Sequence, residues 1–240
     1  DLLAHHHAVV YATGAPVGRQ LGVPGEHLPG NFTAAEVVGW YNGHPDHADL
    51  SVAAHHPTAV LVGNGNVAVD VARVLLLGGR MGHTDIADHT RNGLHNSRIR
   101  EVVVLGRRGP EHAAFSFSQL LALTHLDGVD IVVDPADLID VVTPPDRSHP
   151  AAFAGEQKLA LLRELAARHP RHDRRIHLRF SASLHALSGS DRVETATIMS
   201  AAQGESSLAA GIVVSCIGFD ARPIDGIAFD TGTKRIPNQG

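Results

Sequence analysis

Val60-Leu61-Val62-Gly63-Asn64-Gly65-Asn66-Val67-Ala68-Val69-Asp70-Val71-Ala72-Arg73 runs from a short apolar segment, through a G-x-G-x-x-A turn, into an apolar pattern at helical spacing. That order sets a pyrophosphate on the amide end of a helix, because the second glycine lets the backbone approach the phosphates. The stretch reads as a dinucleotide site. A tight strand-to-helix turn in a non-binding α/β domain is the competing reading. Asn64 and Asn66 add side-chain donors, although Asn66 also suits the helix N-cap. Further on, Gly106-Arg107-Arg108-Gly109-Pro110 closes a second apolar run, Val102 to Leu105, where the next strand of such a fold ends beside the adenosine ribose. Paired arginines there match a 2′-phosphate, hence NADP rather than NAD. Asp85 and Asp88 stand at the spacing of the acid that binds the ribose in NAD sites, but they precede the second strand and read as helix-start residues.

Outward from this unit, strand and helix alternate. Residues 8–13 form an apolar run ended by Gly14, and turn chemistry follows at Gly22-Val23-Pro24-Gly25-Glu26 and Pro29-Gly30. Asn31-Phe32-Thr33-Ala34-Ala35-Glu36 has the form of a capping box, with Thr33 or Asn31 opening a helix through about Tyr41. The fingerprint helix runs from Val67 to about Leu77 and stops at Gly78-Gly79; a helical excursion begins near Thr84, and 100–105 returns as strand. Helix at 118–126, strand at 129–133 and a Pro/Asp-rich stretch to Pro150 come next. An amphipathic helix over 155–168 presents Leu159, Leu162, Leu165 and Ala166. Segments 175–180, 184–187 and 193–198 read as antiparallel strands. The expected fold is α/β: a Rossmann-like parallel sheet flanked by helices, with a small antiparallel β insertion. Val9 to Gly14 and Val213 to Gly218 echo each other as strands running into a glycine.

Composition narrows the function. The 240 residues are 43% hydrophobic, enough to bury a sizeable core, and the formal charge of -5 gives no overall footprint for nucleic acid. A single cysteine, Cys216, excludes an intrachain disulfide and makes a reducing, cytoplasmic setting the default; it reads as buried rather than nucleophilic. No apolar run approaches membrane-span length. The 18 histidines, His5-His6-His7 and His55-His56 among them, show no metal-ligand spacing. No Ser/His/Asp or Cys/His constellation emerges, so a hydride must pass to a group held elsewhere, a flavin in the simplest case.

The glycine turn with Thr84-Asp85-Ile86-Ala87, the arginine pair and Ala114-Phe115-Ser116 resembles the adrenodoxin reductase type of ferredoxin–NADP reductase. The likeness extends over Ala12-Thr13-Gly14-Ala15, Val23-Pro24-Gly25-Glu26, Gly39-Trp40-Tyr41-Asn42, Asp127-Gly128-Val129 and Ile236-Pro237-Asn238. It implies the NADP domain of a two-dinucleotide-binding-domain flavoprotein carrying FAD. That protein would move electrons between NADPH and a ferredoxin-like iron–sulfur protein. Residues 1–17 would cross from the FAD domain, 18–218 would form the NADP domain and 219–240 would return. The resemblance places cofactor contacts on Gly63, Asn64, Gly65, Asn66 and Val67, and on Arg107 and Arg108. It also places one on Gln119, where the family carries a glutamate; Ala122 replaces a second acid found in some members. The family's FAD fingerprint and glycine-rich flavin segment have no counterpart here, so these residues alone are expected to carry no tightly bound FAD and to reduce neither dyes nor ferredoxin. A glutamate synthase-like electron-input subunit, which would favour a G-G-G-N-T turn, and a non-catalytic NADP-binding module are the alternatives.

Overall fold

The computed structural model describes residues 2–52, 56–139, 141 and 150–237, with side chains of 150–152 excepted; His55, Asn238 and Gly240 lie outside them, as does most of the Pro/Asp-rich stretch. In chain order the elements are β1 (Val17–Gly18), β2 (Asn31–Thr33), α1 (Ala34–Tyr41), β3 (Thr58–Val62), α2 (Asn66–Leu77) and α3 (Asp88–His95). Next come β4 (Glu101–Leu105), α4 (Phe117–Leu123), β5 (Val129–Val133), α5 (Pro150–Ala166), β6 (Arg174–Arg179) and β7 (Ala182–Ser188). The last are β8 (Thr195–Ser200), β9 (Gly204–Ala209), β10 (Ile212–Ser215) and β11 (Phe219–Asp220).

Six strands form one parallel sheet in the order β2-β10-β3-β4-β6-β5. Period-two alternation divides its side chains between two cores. Ala59, Leu61, Val102, Val104, Ile176, Leu178 and Val214 face the helices, whereas Val60, Val103, Leu105 and Val213 face the antiparallel sheet β7-β8-β9. The fold is thus a three-layered α/β unit with a six-stranded parallel sheet and a small antiparallel sheet on one face.

Local chemistry explains the helices. Thr33 caps α1 in a reciprocal box with Glu36, whose carboxylate accepts the Thr33 amide at 2.7 Å. Seven residues of α2 are buried, while Asp70 and Arg73 pair outward at 2.7 Å one turn apart. Leu159, Leu162 and Leu165 of α5 are buried in the helix-side core, as their spacing predicts.

Some segments depart from the sequence reading. Residues 8–13 form no strand: they pair with nothing in either sheet, and Val10 is 87% exposed. Their apolar pattern lacks the sheet partner that a strand needs. Segment 175–180 is not antiparallel. As β6 it lies between β4 and β5 in the parallel sheet, where Ile176 and Leu178 bury one face. Charged residues on alternate positions made it look like an insertion strand. The antiparallel sheet includes β9, whose exposed polar pattern gave no signal. Two-residue β1 and three-residue β2 were equally invisible. The α-helix of the fingerprint ends at Leu77 and a 3-10 turn crosses the two glycines to Arg80.

The loop from β1 to β2 docks on the antiparallel sheet. Leu187 donates its amide to Pro24 at 2.8 Å, Val193 donates to Pro29 at 2.8 Å, and Leu21, Val23 and Leu28 pack on the second core. Gly25 makes this possible with φ +80°, since a Cβ there would overlap the Leu187 carbonyl. Gly25→Ala is therefore expected to lower the urea midpoint clearly more than Gly14→Ala, where φ is +67° but the space is open. The left-handed conformation alone costs about 1–2 kcal/mol in both variants, so the excess measures the backbone overlap. Equal losses would show that the loop is not tightly docked.

Candidate functional site

The fingerprint forms at the carboxyl end of β3, where the sheet order reverses: β4 lies on one side and β10 on the other. Such a switch point opens a crevice above the sheet. Gly63 leaves β3 with φ +114°, and a Cβ on it would lie 2.5 Å from the Cys216 carbonyl. Only glycine fits that crossing. Its amide donates to Leu105 at 2.9 Å, and Cys216 donates to Val62 at 2.7 Å, so the turn is tied to both neighbouring strands.

Gly65 is the N-cap of α2 and no side chain caps the helix. The first intrahelical bond there runs from Val69 to the Gly65 carbonyl, leaving the amides of Asn66, Val67 and Ala68 without helical acceptors. Those amides and the helix dipole favour an anion. Nothing lies within 4 Å of a Cβ built on Gly65, which lines the open cavity. A side chain at this position would project into that open space.

Asn66 is not the N-cap. Its Oδ1 instead accepts the Ser116 amide at 2.8 Å, and the Asn64 carbonyl accepts the Phe115 amide at 2.9 Å. The Asn64 side chain packs where Gly106 has none, with its Cγ 3.0 Å from the place of a Cβ. These contacts bind the glycine turn to the loop carrying Arg107 and Arg108. From the other side Lys158 of α5 donates its Nζ to the carbonyls of Ala113 at 2.5 Å and Phe115 at 3.3 Å. Burial pulls the Lys158 ammonium below its usual range, and the Phe115 ring lies 5.6 Å from it. The Arg108 carbonyl accepts the Ser181 amide at 2.9 Å, fixing the backbone of the arginine turn against the antiparallel sheet. Arg107 and Arg108 are exposed, and neither guanidinium has a partner among the described residues.

The two turns face each other across a cavity of about 550 Å³ lined by Gly63, Asn64, Gly65, Arg107 and Arg108. Asn66 and Val67 stand behind the lining, in the first turn of α2, and Gln119 stands outside it, one turn into α4. Cys216 follows β10 rather than lying in it and forms part of the cavity wall; burial pushes its thiol up to about 12, so it is inert near neutrality. Among the described residues, no group of three or more His, Cys, Asp or Glu is placed to hold a metal ion.

One lining residue, Arg19, carried no sequence signal. Its carbonyl accepts from the Ser215 hydroxyl at 2.6 Å, and its Nε donates to Asp220 at 2.7 Å. Asp220 also accepts from Lys234 at 2.7 Å. The β1–β11 ribbon, Val17 opposite Asp220 and Gly18 opposite Phe219, therefore borders the cavity. No linear motif can show a pair 201 positions apart in the chain.

No family model matches the chain. It is 41% identical over 261 residues to a probable ferredoxin/ferredoxin–NADP reductase of Mycobacterium tuberculosis, covering 100% of this chain and 42% of that protein. It is 40% identical over 259 residues to NADPH-ferredoxin reductase FprA of the same species, covering 100% and 56%. With the mitochondrial NADPH:adrenodoxin oxidoreductase of Bos taurus it shares 36% identity over 265 residues, covering 99% and 53%. The solved structure of Mycobacterium tuberculosis FprA in complex with NADPH superimposes with a TM-score of 0.89 at 38% identity, over 99% of this chain and 56% of that one. The chain is homologous to these reductases along its whole length and spans about half of theirs.

The ribbon beside the cavity makes its own prediction. Lys234 first and Arg19 second hold the Asp220 carboxyl below its ordinary value, so the contacts stabilise the folded state above the unfolded carboxylate pKa of about 3.9. That contribution fades as pH falls through the lower, folded value. Asp220→Asn is expected to be less stable than the parent in urea melts at pH 7, and the difference should shrink toward pH 3. A gap that is constant across this range would mean that the charge does not hold the ribbon.

Proposed function

We propose that this chain supplies the NADPH-binding part of a flavin-dependent reductase that transfers electrons between NADPH and a ferredoxin-like iron–sulfur protein. The observation carrying this reading is the cavity itself, with free helix amides behind Gly65 on one side and two unpartnered arginines on the other. Homology to NADPH-ferredoxin reductases over the full chain supports the partner class. No helix among the described residues is long and apolar enough to cross a membrane; a cytoplasmic location is part of the same proposal.

On this reading the Asn66 and Val67 amides hold the pyrophosphate, and the bare Cα of Gly65 lets it close in. Gly63 and Asn64 shape the turn. Arg107 and Arg108 grip the 2′-phosphate with planar guanidinium forks. Lys158 keeps the arginine loop in place through the carbonyls of Ala113 and Phe115. Gln119 takes the position of the family's glutamate on the nicotinamide side and, unlike an acid, carries no titrating proton. Bound NADPH supplies the hydride and FAD the acceptor for it. The described residues contain one glycine fingerprint of this form, and NADPH occupies it, so FAD is not assigned to any of them. Residues 18–218 form the NADP-binding unit, 1–17 and 219–240 its connections to the flavin-binding part. The pairing of β1 with β11 supports that division, because both connections meet in one ribbon.

Calorimetric titration tests the assignment. NADPH should bind in clear preference to NADH. Each charge-assisted hydrogen bond contributes about 1.5–3 kcal/mol, so Arg107→Ala/Arg108→Ala should weaken NADPH by roughly a hundredfold or more and leave NADH nearly unchanged. Equal losses for both nucleotides would remove the 2′-phosphate role. Gly65→Val should abolish binding of either nucleotide in a protein that still folds, since its new side chain meets no protein atom nearby. Native affinity in that variant would reduce the fingerprint to a turn.

A further inference from the structure

The amino ends of the sheet strands, opposite the nucleotide cavity, gather a second set of arginines. Arg100 immediately precedes β4 and Arg174 opens β6; these strands are parallel neighbours, with Glu101 opposite Arg175 and the Arg175 amide donating to the Arg100 carbonyl at 2.8 Å. Arg100 and Arg174 therefore sit side by side. Arg80, on the turn that ends α2, joins them, and all three line one concavity of about 210 Å³ with His95 and Ser97. Leu75, Leu76, Leu94 and Ile99 make its apolar wall, and among the described residues no carboxylate lines it.

Three like charges converge here in a chain whose formal charge is -5. Arg100 spends one amino group on the carbonyls of Ser97 and Ile99, at 3.2 and 2.8 Å. Arg80 has no partner among the described residues. The Nε of Arg174 is fully buried and makes no hydrogen bond, an omission that is costly unless something else accepts from it. Burial first, then Arg80 and Arg100, hold the Arg174 guanidinium below its ordinary range, with Asp173 acting in the opposite sense. A carboxylate in the wall would answer these demands, and among the described residues none lines it.

We propose that this concavity is a binding site for a phosphate dianion, either free or as the phosphoryl group of a small metabolite, separate from the nucleotide cavity and independent of the function proposed above. A tetrahedral dianion offers enough oxygens to accept from several planar guanidinium forks at once, and it cancels their mutual repulsion. The small volume admits a phosphoryl group with a short carbon skeleton rather than a nucleotide.

The test is a titration of the folded chain with inorganic phosphate, followed by phosphorus NMR and calorimetry at fixed ionic strength. A saturable equivalent that persists in Arg107→Ala/Arg108→Ala is expected. Arg174→Gln and Arg80→Gln should each weaken it at least tenfold, whereas Arg107→Ala/Arg108→Ala and Gly65→Val should leave it unchanged. Arg80 is exposed, so its variant keeps the test decisive even if Arg174→Gln fails to fold. Glycerol phosphate binding more tightly than inorganic phosphate would assign a metabolite; the reverse order would assign the free anion. Absence of saturable binding, or binding lost in the Arg107/Arg108 variant but kept in Arg80→Gln, would overturn the site. NADPH affinity, measured in parallel on Arg80→Gln, should stay at the parent value, which separates failure here from failure of the nucleotide assignment.

Discussion

The close passage of two backbones at Gly63 is the constraint on which the rest depends. Its positive φ turns the chain off β3 into α2, and the missing Cβ lets the turn lie against the Cys216 carbonyl. Had the chain needed a side chain there, β10 could not lie beside β3 at its carboxyl end, and the crevice of the sheet would widen or shift. From this crossing follow the direction of α2, the exposure of its first amides and the position of the Gly65 edge facing the cavity. The apolar cores supply most of the cohesion, but they would accept several helix orientations; this contact selects one.

The arginine turn is positioned differently. No secondary structure contains Arg107 and Arg108, so their loop is held by polar ties to three separate elements. Asn64 and Asn66 bind it from the glycine turn and the start of α2, Lys158 from α5, and the Ser181 amide from the turn between β6 and β7. Each tie pairs a backbone group of the loop, so the loop is fixed by backbone accounting while both guanidinium heads stay free. The charged ends are thereby kept available without being made rigid.

Much of this was legible in the sequence because it is local. The glycine turn, the capping box at Thr33 and Glu36, the leucine spacing of α5 and the arginine pair are all read within a few residues. What was missed is non-local. Segment 8–13 has the apolar character of a strand, yet a strand exists only where a partner edge is offered. Strand β6 has buried residues at Ile176 and Leu178 with Arg175, His177 and Arg179 on the alternate positions, a pattern shared by a parallel strand with one more polar face and by an antiparallel hairpin. Periodicity cannot separate the two; only the position of β4 and β5 does. Arg19 belongs to the cavity through the fold's closure on Asp220, and the Arg80, Arg100 and Arg174 cluster through the alignment of strand starts.

The β1–β11 ribbon has a topological consequence. Gly18 and Phe219 are register partners, so the chain between them runs as a single loop whose two ends touch. A body anchored at adjacent points can be spliced into a surface turn of another protein without stretching either, since the host needs to open only by the width of one strand pair. Evolution and the engineer meet here the same convenience: both ends of the loop leave through a stalk only two residues long on each side.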